Sequence, residues 1–107
     1  MKISIVIPVF NEAESIKELY SQIKKSLKGQ NKYEIIFIDD GSSDNSKKHI
    51  NDIMDQDSNV RMISFYRNFG KSAALSEGFK YASGAIIITM DADLQDDPNE
   101  ITNFLAR

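Results

Sequence analysis

Short runs of β-prone apolar residues alternate along this chain with stretches whose apolar positions recur at helical spacing. The runs cover residues 3–7, 33–38, 60–66 and 85–90, each long enough for one strand and far too short to span a membrane. Between the first two, Ile16, Leu19, Tyr20, Ile23 and Leu27 form a stripe of helical period that Gly29 is placed to end. Ile50, Ile53 and Met54 mark a second helix among charged residues. Ala74, Leu75, Phe79 and Ala82 mark a third, followed by Gly84. Asp97, Pro98 and Glu100 read as the N-cap, first position and capping box of a fourth. Regular strand–helix alternation predicts an α/β fold with a parallel sheet and right-handed crossovers. A ligand-binding switch point between strands one and four gives three α/β/α layers with strand order 3-2-1-4. Near-continuous apolar runs predict strands buried on both faces. Residues 1–107 read as one domain, with no repeat, linker or low-complexity tract.

In such a sheet the loops that follow the strands share one side, where ligands bind. The fourth is the most informative: Ile86, Ile87, Ile88, Thr89 and Met90 run into Asp91, Ala92 and Asp93. Residues two apart on a strand share a face, so strand geometry continued through the turn brings both carboxylates to one point. There they repel unless a cation sits between them, and a hard divalent cation that also carries phosphate fits. After the first strand, Pro8 is expected to stop the ladder, Phe10 to offer a ring face, and Glu12 to accept hydrogen bonds from a base or from backbone. A purely structural account has Asn11 capping helix one and Glu12 favouring its dipole. After the second strand, Asp39 and Asp40 cannot both be buried unpaired. One is expected to face inward with hydrogen bonds and the other to be free for a ligand, while residues 41–44 read as a turn with a cap for helix two. After the third strand, Arg67 and Lys71 are ligand-facing cations or ordinary surface charges.

Composition narrows the function classes. At 107 residues and 41% hydrophobic the chain suits one small globular domain, and a net charge of −3 without a basic block gives nucleic-acid binding no support. The absence of cysteine removes disulfides and thiolate metal sites and fits a reducing, cytoplasmic setting. No run is long enough for a signal-peptide core. Gly70, Lys71 and Ser72 look like the end of a P-loop phosphotransferase motif, but Phe65 stands where the first glycine belongs. A calcium loop counted from Asp91 finds Asp96 and Thr102 where glycine and glutamate are needed. His49, among lysines and asparagine, is expected to be solvated, with no Ser-His-Asp arrangement around it. Phosphatases of the haloacid type carry Asp-x-Asp on their first strand with a threonine two residues on. Here the motif is on the fourth strand and that place holds Gln95. A non-enzymatic receiver-like signalling domain also clusters aspartates at strand ends. It needs a fifth strand ending in lysine, and this chain runs out first.

With these loops in order, the chain resembles the N-terminal, nucleotide-sugar-binding half of a family 2 glycosyltransferase of GT-A fold. The resemblance rests on residues 7–12, 38–44, 67–71 and 90–98 and covers essentially the whole chain. Its Arg-Asn-Phe-Gly-Lys and Asp-Ala-Asp-Leu-Gln-Asp pieces are most similar to polyprenyl-phosphate glycosyltransferases, the dolichol-phosphate mannosyltransferase and bactoprenol glucosyltransferase type. It implies inverting sugar transfer from a nucleoside diphosphate sugar to an acceptor, here a polyprenyl phosphate. It places Pro8, Phe10 and Glu12 around the nucleoside, though many relatives carry tyrosine at Phe10. Ile38 and Asp40 fall at the base and ribose, and Lys71 lies in a matching stretch facing the donor. Asp91, Ala92 and Asp93 match the aspartate motif that holds Mg²⁺ or Mn²⁺, with Asp93 as direct ligand, and Gln95 matches a position near the metal and diphosphate. The family's general base falls downstream, so the chain alone is expected to bind rather than turn over. The parent protein is expected at the cytoplasmic face of the membrane. The chain ends inside its fourth helix, which reads as a piece of a longer protein. That would leave the edge of strand four and Ile101, Phe104 and Leu105 uncovered, a surface through which copies could associate.

Overall fold

A computed structural model of the chain describes residues 1–30 and 32–93. The fourth helix, its apolar face and Gln95 lie outside the described residues. The elements are β1 (Ile3–Val9), α1 (Ala13–Ser26), β2 (Tyr33–Asp39), α2 (Ser46–Gln56), β3 (Val60–Ser64), α3 (Lys71–Tyr81) and β4 (Ile86–Thr89). All pairings are parallel, as the alternation predicts, and the strand order is β3-β2-β1-β4, as the switch point between strands one and four predicts.

The sheet divides the apolar residues into two clusters. On one face Ile3, Ile5, Ile7, Ile35 and Phe37 pack against Ile16, Leu19 and Ile23 of α1 and Ile50 and Ile53 of α2. On the other, a smaller cluster joins Val6, Ile36 and Ile38 to Ala74 of α3. α3 sits close to the sheet because its inward positions are small. A Cβ on Gly78 would lie 2.3 Å from Val6 Cγ1 and 2.9 Å from Ile38 Cδ1.

Three expectations are corrected. Among the described residues only β1 and β2 are buried on both faces; β3 and β4 lie at the ends of the strand order, and Ile87 is 43% exposed. Phe79 lies on the outside of α3, since the sheet-facing positions are Ala74 and Gly78. Pro8 does not stop β1, which runs on to Val9 opposite Asp39. Along β1, Ile3 and Val9 bond toward β2, while Lys2 and Val6 bond toward β4 and its lead-in. Pro8 shares the direction of Val6, so its missing N–H faces β4 beyond Thr89, where no ladder partner is needed.

At the amino ends of the strands, buried Glu34 collects donors from three directions. Ser4 Oγ donates to its Oε2 at 2.5 Å, Ser83 N–H and Oγ donate at 2.7 and 3.0 Å, and Arg61 Nη2 donates to Oε1 at 2.8 Å. Burial alone would push this carboxyl up. The Ser4 and Ser83 donors and the Lys2 charge outweigh it and bring it down to about 2, from an ordinary value of 4.5. A carboxyl depressed by folding contributes stability that is present above its unfolded value and is lost as the pH falls through its folded value. We expect Glu34→Gln to lower stability at pH 7 by on the order of 2–3 kcal/mol. Its stability should also vary less than that of the wild type between pH 4.5 and 2. Urea unfolding followed across this window checks both; parallel curves for the two proteins would exclude the role.

Candidate functional site

A cleft of ≈ 590 Å³ opens at the carboxyl ends of the strands. Pro8, Val9, Phe10 and Glu12 line it from the end of β1, Asp40 from the end of β2, and Asn68, Gly70 and Lys71 from the β3–α3 connection. Asp91, Ala92 and Asp93 complete it after β4. β1 and β4 flank the point where the chain reverses its direction of winding, where open α/β sheets bind ligands.

β4 ends at Thr89, yet its inside–outside alternation continues through Asp93. Met90 and Ala92 are buried in the larger cluster, and Met90 N–H extends the ladder to Val6 O at 3.1 Å. Asp91 and Asp93 consequently both reach the cleft. Ser15 of α1 pins the turn, its hydroxyl donating to Ala92 O at 2.5 Å. The carboxylates meet different neighbours. Lys71 Nζ donates to Asp91 Oδ1 at 2.6 Å. Asp93 lies near Glu12, whose carboxyl is pushed up first by burial and then by the charge of Asp93. Among the described residues no group of three or more metal-ligating side chains forms. Two carboxylates suffice for Mg²⁺ or Mn²⁺ when substrate phosphate oxygens complete the shell, so Asp91 and Asp93 fit such an ion bound together with a phosphate ligand.

The neighbouring aspartates at the end of β2 divide as expected in direction but not in bonding. Both are buried. Asp39 points inward, where Oδ2 accepts from Ser42 N–H at 3.2 Å and faces Lys47 at 4.0 Å, and its Oδ1 has no hydrogen-bond partner among the described residues. Asp40 lines the cleft but is not free. Its Oδ1 accepts from Phe69 N–H at 2.7 Å, and its Oδ2 from Gly70 N–H and Asn68 Nδ2, both at 3.0 Å. These bonds hold the β3–α3 connection in place. They also settle the P-loop resemblance, because two N–H groups that a phosphate cradle would use are spent on Asp40. Gly41 lets the loops meet: its φ is +75°, and a Cβ there would lie 2.3 Å from Arg67 C.

The loops after β1 and β2 cap each other. Asn11 does not cap α1. It adopts φ 53°, and its Oδ1 accepts from Ser43 N–H at 2.8 Å and Asp44 N–H at 3.3 Å. The start of α1 is served from the other loop, with Ala13 N–H donating to Asp44 Oδ2 and Glu12 N–H to Ser46 Oγ. Asp44 also accepts from Ser46 N–H and Oγ, although the N-cap of α2 is Asn45 and not the expected Ser43 or Asp44. Its exposed carboxyl feels some desolvation, but these donors hold it below the usual range.

The structure thus brings together Pro8, Phe10, Glu12, Asp40, Lys71, Asp91, Ala92 and Asp93. Ile38 stands apart, fully buried beneath α3 in the smaller cluster. Arg67 does not line the cleft; its guanidinium lies 4.7 Å from the Phe69 ring centroid and 5.6 Å from that of Tyr66. His49 is half-buried rather than solvated, with Nδ1–H donating to Ala13 O at 2.8 Å. Val9, Asn68 and Gly70 line the cleft without having been singled out as site residues.

The glycosyl transferase family 2 model matches residues 4–107. The undecaprenyl-phosphate 4-deoxy-4-formamido-L-arabinose transferase of Proteus mirabilis is 45% identical over 107 residues, covering 98% of this chain and 33% of that protein. Among solved structures, a mannosyltransferase from Pyrobaculum calidifontis in complex with GDP-Man and Mn²⁺ matches with a TM-score of 0.79 and 23% identity, over 86% of this chain and 27% of that one. Glucosyl-3-phosphoglycerate synthase from Mycobacterium tuberculosis, in complex with Mn²⁺, UDP and glucosyl-3-phosphoglycerate, matches with a TM-score of 0.71 and 27% identity, over 91% and 36%. The chain spans about a third of the length of the curated relatives it matches.

Asp40→Ala leaves the N–H groups of Phe69 and Gly70 without their acceptor. We expect a loss of about 1–3 kcal/mol in urea unfolding. Amide exchange should accelerate at Phe69 and Gly70 more than in α1. Unchanged protection at those two amides would show that Asp40 does not hold the connection.

Proposed function

Because this chain belongs to glycosyl transferase family 2, we propose that residues 1–107 form the donor-binding subdomain of an inverting transferase. Its cleft takes the nucleoside diphosphate of a sugar donor together with Mg²⁺ or Mn²⁺. The supporting observation is convergence: Asp91 and Asp93 meet Lys71 in one cleft. Carboxylates for a cation thus lie beside a positive group for a diphosphate.

In the reaction an acceptor oxygen bonds to the anomeric carbon as the bond from that carbon to the β-phosphate oxygen breaks, and the nucleoside diphosphate leaves with the electron pair. A divalent cation held by Asp93 and Asp91 would supply Lewis-acid neutralisation of that charge. Lys71 adds a second positive group on the same side. Phe10, 47% exposed at the rim, offers a face for the base, and Pro8 and Glu12 flank the nucleoside. Gln95, outside the described residues, belongs to the same proposal on the family resemblance alone. Asp40 acts on the nucleotide chiefly by fixing the connection that carries Lys71, and Ile38 by supporting α3 from below.

A polyprenyl phosphate is the acceptor this reading favours, on the strength of the undecaprenyl-phosphate named for the Proteus mirabilis relative. A phosphate oxygen is already anionic near neutral pH and relies less on a general base than a hydroxyl does. On this reading the whole protein works at a membrane surface, and the cytoplasmic face is the side we propose. No helix among the described residues is long and apolar enough to cross one.

Calorimetry with UDP and with GDP, each in Mn²⁺, in Mg²⁺ and in EDTA, tests the reading. One of the two nucleotides should bind on the order of tenfold more tightly with metal than without, a difference of about 1.4 kcal/mol. Asp93→Asn should lose that enhancement while circular dichroism shows an intact fold. Equal affinity in EDTA and in Mn²⁺ would count against a metal-bridged diphosphate.

A further inference from the structure

Lys71 is the first residue of α3, where a positive charge opposes the helix dipole. Helix stability therefore gives no reason for a lysine at this position. Its placement is nevertheless fixed, because buried Asp40 grips the N–H groups of Phe69 and Gly70 immediately before it. From there the ammonium reaches across to Asp91 Oδ1 at 2.6 Å. This is the carboxylate that the proposed function gives to a divalent cation.

We propose that Lys71 is a resident counterion for Asp91, displaced when a divalent cation arrives, and that the freed ammonium then pairs with the diphosphate of the donor. The inference rests on the proposed function and deepens it. In the resting cleft the ammonium stands where the metal's charge would act, so a free cation must compete with it for Asp91. A nucleotide arriving without metal finds Lys71 already engaged with Asp91. Entry of both ligands removes both obstacles: the metal takes Asp91, and Lys71 turns to the diphosphate. Metal and nucleotide thus strengthen each other's binding, and linkage makes the factor the same in both directions. The pair is partly exposed, with 62% of the Lys71 side chain and 35% of that of Asp91 accessible, so the exchange requires no opening of the core.

The test compares the wild-type chain with Lys71→Met. Mn²⁺ binding in the absence of nucleotide is followed by electron paramagnetic resonance, and UDP and GDP binding with and without Mn²⁺ by calorimetry. Removal of the competitor should tighten Mn²⁺ binding to the nucleotide-free protein by up to about fivefold, the range that an exposed ion pair supports. The same variant should bind nucleoside diphosphate more weakly in Mn²⁺, and the factor by which each ligand strengthens the other should shrink. Mn²⁺ affinity that is unchanged or weaker in Lys71→Met overturns the inference, since the lysine would then be a bystander or a support for Asp91. Wild-type protein that binds neither Mn²⁺ nor either nucleotide brings down the proposed function and this inference together. Wild-type binding with an unresponsive variant brings down the inference alone. Circular dichroism and the thermal midpoint of the variant confirm that a change reports on the cleft and not on unfolding.

Discussion

One face of β2 holds α3 at both ends. Along that face run Glu34, Ile36, Ile38 and Asp40, a carboxylate at each end of two isoleucines. Glu34 receives Ser83, just beyond the carboxyl end of α3, and Asp40 receives Phe69 and Gly70, just before its amino end. Between these anchors the buried positions of the helix are Ala74 and Gly78, with Leu75 packing partly against the sheet, so little apolar area is fully buried. Charge-assisted hydrogen bonds thus supply a definition of position that side-chain volume does not. The cleft depends on this arrangement, because the position of α3 sets that of Lys71.

The second determinant is β1, which pairs in parallel with β2 on one side and β4 on the other. Parallel pairing delivers the turns after all three strands to the same end of the sheet. Residues as distant in sequence as Phe10, Asp40 and Asp93 therefore share one cleft without any long excursion of the chain. Negative charge gathers there as a consequence. Asp40 is met there by backbone N–H groups and Asp91 by Lys71, and the charge of Asp93 acts on Glu12.

What could be read from the sequence follows from how local each signal is. Strand and helix positions were legible because apolar period and chain alternation are local patterns, and the strand order followed from a binding switch point between strands one and four. Asp91 and Asp93 were legible for the same reason, since alternation along a strand predicts their shared direction. The roles of Asp39 and Asp40 were not. Two adjacent carboxylates look alike in sequence, and the donors that distinguish them come from residues 68–70. Asn11 before a helix reads as a cap, yet its amide serves a turn more than thirty residues away. Phe79 suggested an inward face because it is large, whereas the close approach of α3 leaves that face to alanine and glycine. His49 looked solvated among lysines, and only the tertiary approach of α1 supplies its partner, Ala13 O.

The mutual capping of the first two helices bears on how this region can vary in length. Asn11 closes the turn at Ser43 and Asp44, while Asp44 and Ser46 close the start of α1. Neither turn has a complete set of hydrogen-bond partners without the other. A residue inserted into one would strand donors in both, so the two segments can change length only in concert. Natural variation and grafting should accordingly treat residues 10–13 and 41–46 as a single inheritable unit, even though a whole helix and a whole strand separate them along the chain.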